Sequence, residues 1–451
     1  MSDSSCLRPG ACRLTACLTF LAALGVTLWS DSSPAWAEGA PAARAAGKLI
    51  ASGEPLWPQW RGVRRDGCSD ETGLLQSWPA GGPKGLWTAE KLGAGWSSPV
   101  AAGELIYITG DVGDELHIVA IGTDGKERWR TPNGKSWKGS FKGARATCSV
   151  SDGCLYHMNA HGRLACLDLK TGKELWAVET LERFGAPNVR WAISECVVVD
   201  GPRVIVSPGG PRTMMAALDK KTGQTVWASE PIPDGKGGFD KAGYASPLLF
   251  ELGGRRYLVN CSSRRAYAVD ADTGKLLWHV PRPTRWEVVA QTPTLVGDAV
   301  LVSTSDGTGS KLYRLLDDDK GCRTEIVWDS PLDNMHGCLV LAGGRIYGSG
   351  HQNQLWSCLD PAGGKTLYRK DDAAMGSIIH ADGRLYCLSQ EGVMMLLEPT
   401  GGGFVEAGRF DWVDPALAKK KKDVWAHPVI SQGRLYLRYH DRMTCFDVRG
   451  R

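Results

Sequence analysis

The segment Asp168–Trp176 reads DLKTGKELW. The same frame returns as DKKTGQTVW at Asp219–Trp227 and as DADTGKLLW at Asp270–Trp278, with a degenerate copy, DPAGGKTLY, at Asp360–Tyr368. Asp, Thr, Gly and Trp keep one spacing in the three full copies. That is the chemistry of a β-hairpin: Asp and Thr side chains bond to turn backbone, and Gly supplies the positive φ that a tight turn or bulge requires. The aromatic then closes the outer strand and packs against the next unit.

A second recurring element is a turn leading into an alternating strand. It occurs eight times: GELIY at Gly103, DGCLY at Asp152, DGPRV at Asp200, GGRRY at Gly253, GDAVL at Gly297, GGRIY at Gly343, DGRLY at Asp382 and QGRLY at Gln432. Short apolar strands such as SSPVAA (from Ser97) and SPLLFE (from Ser246) open the units. Units of roughly 40–50 residues holding four strands and a recurring aromatic define propeller blades. The fold class expected is all-β: an eight-bladed β-propeller of four-stranded antiparallel blades, closed by an N-terminal strand. The last unit, from Trp425, supplies three strands and stops, while GLWTAE at Gly85–Glu90 resembles an orphaned fourth. Pairing the two removes the open edges at the seam. Outer-strand aromatics Trp87, Trp129, Trp176, Trp227, Trp278, Trp328, Tyr368 and Phe410 again number eight.

These Asp-x-x-Thr-Gly-x-x-x-Trp units resemble the repeats of the pyrroloquinoline-quinone (PQQ) propeller superfamily over nearly all of residues 85–451. That superfamily includes quinoprotein alcohol dehydrogenases and the propeller lipoprotein of the outer-membrane β-barrel assembly machine, which uses the repeat without a quinone. The segments Asn188–Gly201 and Met335–Gly348 further resemble exported propellers, some labelled polyvinyl-alcohol-dehydrogenase-like. The resemblance implies fold strongly and activity weakly. PQQ with calcium is the cofactor pair it implies, but the paired adjacent cysteines of the dehydrogenases have no counterpart: no two of the fourteen cysteines are adjacent. No Cys-x-x-Cys-His offers a haem attachment either. Asp306 and Glu287 lie in plausible loops, and neither is singled out as catalytic.

Residues 1–37 read as a signal peptide: Arg8 and Arg13, then an apolar run from Leu14 to Trp29, then small residues at Ala35 and Ala37, with cleavage placed after Ala37. The mature chain is expected to be exported, periplasmic or extracellular, without a transmembrane span. Residues 38–84 are read as a linker and N-terminal extension. The linker is the Ala- and Gly-rich stretch 38–56, and the extension, WPQWRG at Trp57–Gly62, packs on the ring. Eleven cysteines follow residue 37, an odd number, and Cys166, Cys358, Cys387 and Cys445 sit in apolar strand patterns as small buried hydrophobes. A net charge of +4 on 451 residues gives no case for nucleic acid as a partner.

Strand order locates a site. The A–B and C–D turns are tight and share one face; the B–C loops and D-to-A links, read as longer, share the other, where the links converge on the axial channel. Candidate ligand-binding positions there are Trp96, Arg145 (with Lys142), Arg190, Trp191, Tyr244 (with Lys241), Arg285, Trp286, Glu287, Gln291, His336, Trp425 and His427. The set is aromatic and basic, suited to a planar or anionic ligand. Trp191, Trp286 or Trp425 offers a stacking floor, and Arg145, Arg190 and Arg285 offer anion clamps. One carboxylate, Glu287, is a poor calcium site, because calcium takes six to eight oxygens. His336 and His427 are read as polar loop residues before metal ligands. The run Lys419–Lys422 is a solvated loop, or a contact for an acidic partner. The function expected is a binding or scaffold module for a protein partner or small anionic ligand; the alternative is a PQQ-dependent oxidoreductase acting on alcohols or sugars.

Overall fold

A computed structural model describes residues 45–319, 321–414 and 423–450. The expected signal peptide and the Lys419–Lys422 run lie outside the described residues. Eight antiparallel four-stranded blades succeed one another in chain order. Their innermost A strands begin at Val100, Ser149, Val198, Leu248, Thr294, Val340, Gly376 and Val429. Among the described residues the only α-helix is Thr180–Phe184, in a D-to-A link. No described helix is long and apolar enough to cross a membrane.

The hairpin chemistry of the repeat is realised in detail. The Asp168 carboxylate accepts from Thr171 N at 2.8 Å and Thr171 Oγ1 at 2.7 Å. Asp219 and Asp270 repeat both bonds with Thr222 and Thr273. A register shift follows in each C–D pair, as a β-bulge requires. The motif glycine also has a partner in the preceding blade. Trp129 lies over Gly172, Trp176 over Gly223, Trp227 over Gly274 and Trp328 over Gly364. Each of these four tryptophans thus fastens its blade to the next. Gly274 sits at φ 77°, and a Cβ there would lie 2.5 Å from the Trp227 ring. Gly274→Ala is expected to lower stability by about 2–3 kcal/mol in urea titration, from strain plus overpacking. Gly253→Ala, at φ 60° with open space around it, is expected to cost only about 1–2 kcal/mol.

The core is divided into layers between neighbouring blades. Tyr156, Leu164 and Cys166 of blade 2, for example, meet Val204, Val206 and Leu218 of blade 3. Cys166, Cys358, Cys387 and Cys445 are buried there, and all eleven described cysteines are unpaired thiols.

The ring closes through the expected strand. Lys84–Ala89 pairs antiparallel with Arg442–Asp447, with Trp87 opposite Cys445, and completes blade 8. At the same seam the buried Arg438 of blade 8 donates to Ser97 O and Gly93 O, at 3.0 and 3.1 Å, on the approach to blade 1.

Two expectations need correction. The B–C loops are not uniformly long: Val112 to Glu115 and Tyr439 to Arg442 are joined by tight turns, whereas most D-to-A links are long, the one from Lys370 to Gly376 being the short exception. Adjacent antiparallel strands need nothing longer than a hairpin, whereas the D-to-A link must cross from the rim of one blade to the axis of the next. The stretch 38–56 is also not simply a linker in its described part. Lys48–Leu49 pairs with Glu251 and Phe250 as a fifth strand of that sheet, too short to leave a period in the sequence.

The extension that follows does more than pack on the ring. Trp57 bridges Ala101 of blade 1, and Pro58 O accepts from Val150 N of blade 2 at 2.8 Å. The Arg65 guanidinium, 2% exposed, donates to Cys196 O of blade 3 at 2.7 Å and Pro247 O of blade 4 at 2.9 Å. Trp60 Nε1 donates to Thr292 Oγ1 in the link to blade 5, and Arg61 Nη2 donates to Leu339 O of blade 6 at 2.5 Å. Cys68–Ser69 forms a short parallel pairing with His380–Ala381 of blade 7. Glu71 accepts from Gln432 N and Gly433 N of blade 8. One segment of some fifteen residues thus touches all eight A-strand layers and crosses the axis of the ring.

Candidate functional site

The crossing segment turns the axial channel into a cup. Its cavity has a volume of about 420 Å³ and is lined from the D-to-A links by Trp96, Arg145, Trp191, Tyr244 and Trp286, then by His336, Trp425 and His427. Eight of the twelve candidate positions therefore come together. Trp60, from the N-terminal segment, also lines it, packed against the His427 ring with centroids 4.5 Å apart. Trp425 is the hub of the aromatic wall, with Trp96 at 5.3 Å, Phe141 at 5.5 Å and His336 at 5.1 Å. Centroid separations of this size are those of favourable tilted aromatic pairs.

The polar groups of the cup are largely committed. Arg145 donates to Gly143 O and to the carbonyls of Trp191 and Phe141, so all three of its nitrogens serve backbone. Burial lowers its pKa to about 10, and it stays charged at neutral pH. It is a strut between links rather than the anion clamp expected. His427 bonds through Nε2 to His336 O at 2.9 Å, and its own N–H donates to Ser98 Oγ at 2.8 Å. Burial pushes His427 down to about 3 and His336 to about 4, so both imidazoles are neutral at physiological pH. Asp306, held at φ 59°, lines the cup 3.8 Å from His351 Nδ1.

The other candidates separate from this cavity. Arg190, Lys241, Arg285 and Glu287 line a second cavity of about 350 Å³, which shares Tyr244 and Trp286 with the cup. Arg190 lies over both Trp191 and Trp286, at 4.8 and 5.5 Å, and Arg285 over Trp286 at 5.1 Å. Glu287 is occupied by Arg264, whose Nε donates at 2.7 Å. Gln291 lines neither cavity: fully buried, it accepts from Ser303 N at 3.1 Å and holds the strand behind the wall. Lys142 is exposed and lines neither.

Sequence reasoning missed Trp60, Met335, His351 and Phe141 as lining residues. The WPQWRG segment was a visible signal for Trp60, but nothing in it indicates that it enters the channel.

A ring of eight such blades with an aromatic axial cup defines a PQQ-repeat propeller. The family model described as "Outer membrane protein assembly factor BamB" matches residues 114–356, and the chain belongs to that family. BamB from Moraxella catarrhalis has a similar structure, with a TM-score of 0.56 at 16% identity, covering 81% of this chain and 98% of that one. The quinohemoprotein alcohol dehydrogenase from Comamonas testosteroni is similar with a TM-score of 0.60 at 14% identity, covering 89% of this chain and 81% of that one. At these identities the likeness is one of fold. In sequence, the chain is 28% identical over 158 residues to 1-butanol dehydrogenase (quinone) of Thauera butanivorans, a match spanning 32% of this chain and 25% of that enzyme. Quinoprotein ethanol dehydrogenase of Pseudomonas aeruginosa matches at 29% over 160 residues, again a quarter of its length.

PQQ is a planar tricarboxylate that works with a calcium ion, and the described cup residues do not fit that ion. The one arginine among the described lining residues has a carbonyl bonded to each of its three nitrogens. Asp306 is the one carboxylate among the described lining residues. Among the described residues no group of three His, Cys, Asp or Glu side chains is placed to hold a metal. A calcium site built on one carboxylate is far short of the oxygens the ion takes.

Proposed function

We propose that this chain is an exported, non-catalytic binding propeller that takes the flat, apolar part of a ligand into its axial cup. The observation that carries the reading is the Trp60 floor: the N-terminal segment converts a channel into a one-ended, indole-lined pocket of about 420 Å³, within the range of small-molecule sites. Export is supported by the leader-like residues 1–37 and by a family description that names an outer-membrane assembly factor. A rigid ring with a preformed pocket binds at low conformational cost.

The test uses N-phenyl-1-naphthylamine, a neutral aromatic fluorophore. One molecule per chain is expected to bind, with Phe141→Ala and Trp425→Ala each weakening binding about 5- to 10-fold, in keeping with about 1 kcal/mol for a lost aromatic contact. Absence of saturable binding to the folded protein overturns the reading. The oxidoreductase alternative, favoured by the quinone-dependent relatives, is tested in parallel with PQQ and calcium. The expected result is weak uptake and no dye-linked alcohol oxidation; tight uptake with calcium-dependent turnover establishes the enzyme instead.

A further inference from the structure

Building on the cup as a binding pocket, we infer that the site has two chambers and that its ligand is an amphipathic anion: an aromatic or other flat apolar body bearing a sulfonate-, sulfate-, phosphate- or carboxylate-type group. The apolar body occupies the cup and the anionic group occupies the second cavity beside it.

The argument rests on what the two chambers share and on how they differ. Trp286 and Tyr244 line both, so they form the partition between them. On the cup side the described walls are mainly indole and phenyl rings with the neutral imidazoles of His336 and His427, and Arg145, the one guanidinium among the described lining residues, has each nitrogen bonded to a carbonyl of Gly143, Trp191 or Phe141. An anionic group placed there loses water, meets no unpaired cation among the described residues, and lies beside the Asp306 carboxylate. On the other side the lining is Arg190, Lys241 and Arg285 against one acid, Glu287, which Arg264 already holds. None of those three cations has an ion-pair partner among the described residues, and the two arginines are kept over Trp191 and Trp286 by cation–π contact. That stacking leaves the guanidinium edges free to meet an oxyanion in the bidentate manner.

The partition itself is suited to a ligand that passes from one chamber to the other. Tyr244 Oη accepts the Trp191 N–H at 3.3 Å, and its own proton remains to be donated. Trp286 is 47% exposed although apolar, a half-buried indole at the seam between apolar and cationic chambers. A ligand lying across that seam covers the exposed ring and neutralises the two arginines that flank it. A purely apolar ligand leaves the arginines unpaired, and a bare inorganic anion leaves the cup unfilled.

The experiment compares two fluorophores with one body. 1-Anilinonaphthalene-8-sulfonate carries a sulfonate on the skeleton of N-phenyl-1-naphthylamine, which has none. The sulfonate form is expected to bind the full chain at least tenfold more tightly than the neutral form, at one per chain, with an affinity that falls as salt rises. The double variant Arg190→Ala/Arg285→Ala should remove at least tenfold of that affinity and a much smaller factor of the neutral probe's, with an unaltered melting temperature showing an intact ring. Inorganic sulfate alone should compete only weakly. Equal binding of the two probes, or an unchanged sulfonate affinity in the double variant, overturns the second chamber while leaving the cup as a binding pocket. Failure of both probes overturns both readings. Sulfate competing as well as the full probe shows a simple anion site and overturns the two-part ligand.

Discussion

A chain lacking residues 45–90 is expected to show no cooperative unfolding transition by far-ultraviolet circular dichroism. The deletion removes the strand Lys84–Ala89, leaving the Arg442–Asp447 edge of blade 8 unpaired, and it removes the segment that touches every A-strand layer. Net stabilities of folded domains are only about 5–15 kcal/mol. An open edge in a closed ring, together with the lost burial of Trp57, Leu74 and Trp78 at about 1.5–3 kcal/mol for each large apolar side chain, exhausts that margin. Deleting residues 45–76 alone keeps the closing strand and is expected to leave a weakened but still cooperative fold. A 45–90 deletion that melts within a few degrees of the full chain shows that the ring is closed in another way.

Arg65→Ala is expected to cost about 2–6 kcal/mol in urea titration, the sum of leaving buried carbonyls on two blades without donors. Arg65 is 2% exposed, and its burial lowers its pKa to about 10, so it carries its charge at neutral pH. Its guanidinium joins the carbonyls of Cys196 and Pro247, from neighbouring blades, to Gln59 Oε1 of its own segment. Truncation leaves those buried carbonyls without donors, each costing about 1–3 kcal/mol. Arg64, next in sequence, pairs with Asp66 and Asp70 at the surface. Arg64→Ala is expected to cost under about 1 kcal/mol. Equal effects from the two substitutions count against the buried clamp.

The propeller was legible because its repeat carries its own chemistry. Asp168, Thr171 and Gly172 form a self-contained turn, and Trp176 finds Gly223 at the same place in the next unit. Closure was legible because Trp87 had a strand and no blade. The aromatic character of the axial mouth was also readable, since D-to-A links must converge there. What could not be read were contacts made to main chain. Arg61, Arg65 and Arg145 look like surface cations in the sequence, and their partners are the carbonyls of Leu339, Cys196, Pro247 and Trp191. A carbonyl has no letter in a sequence, so neither the crossing segment nor the loss of Arg145 as a clamp leaves a pattern. Gln291 was misplaced for a related reason: its Oε1 accepts a strand N–H behind the wall rather than facing the axis.

The crossing segment also orders events in time. Glu71 meets Gln432 and Gly433, and the closing strand meets Arg442–Asp447, so residues made early wait for partners made last. Blades 1 to 7 can form their four strands one by one from local hairpins. The floor of the cup cannot be laid until every blade is present to receive it. Pairings this distant in sequence form slowly, because loop entropy is lost before any contact rewards it. During that interval the axis is an open tube, and Cys196 and His427, later buried beside Trp60, face water. The competence to hold a ligand is therefore acquired in the final step of folding, and an incomplete ring has no pocket to offer.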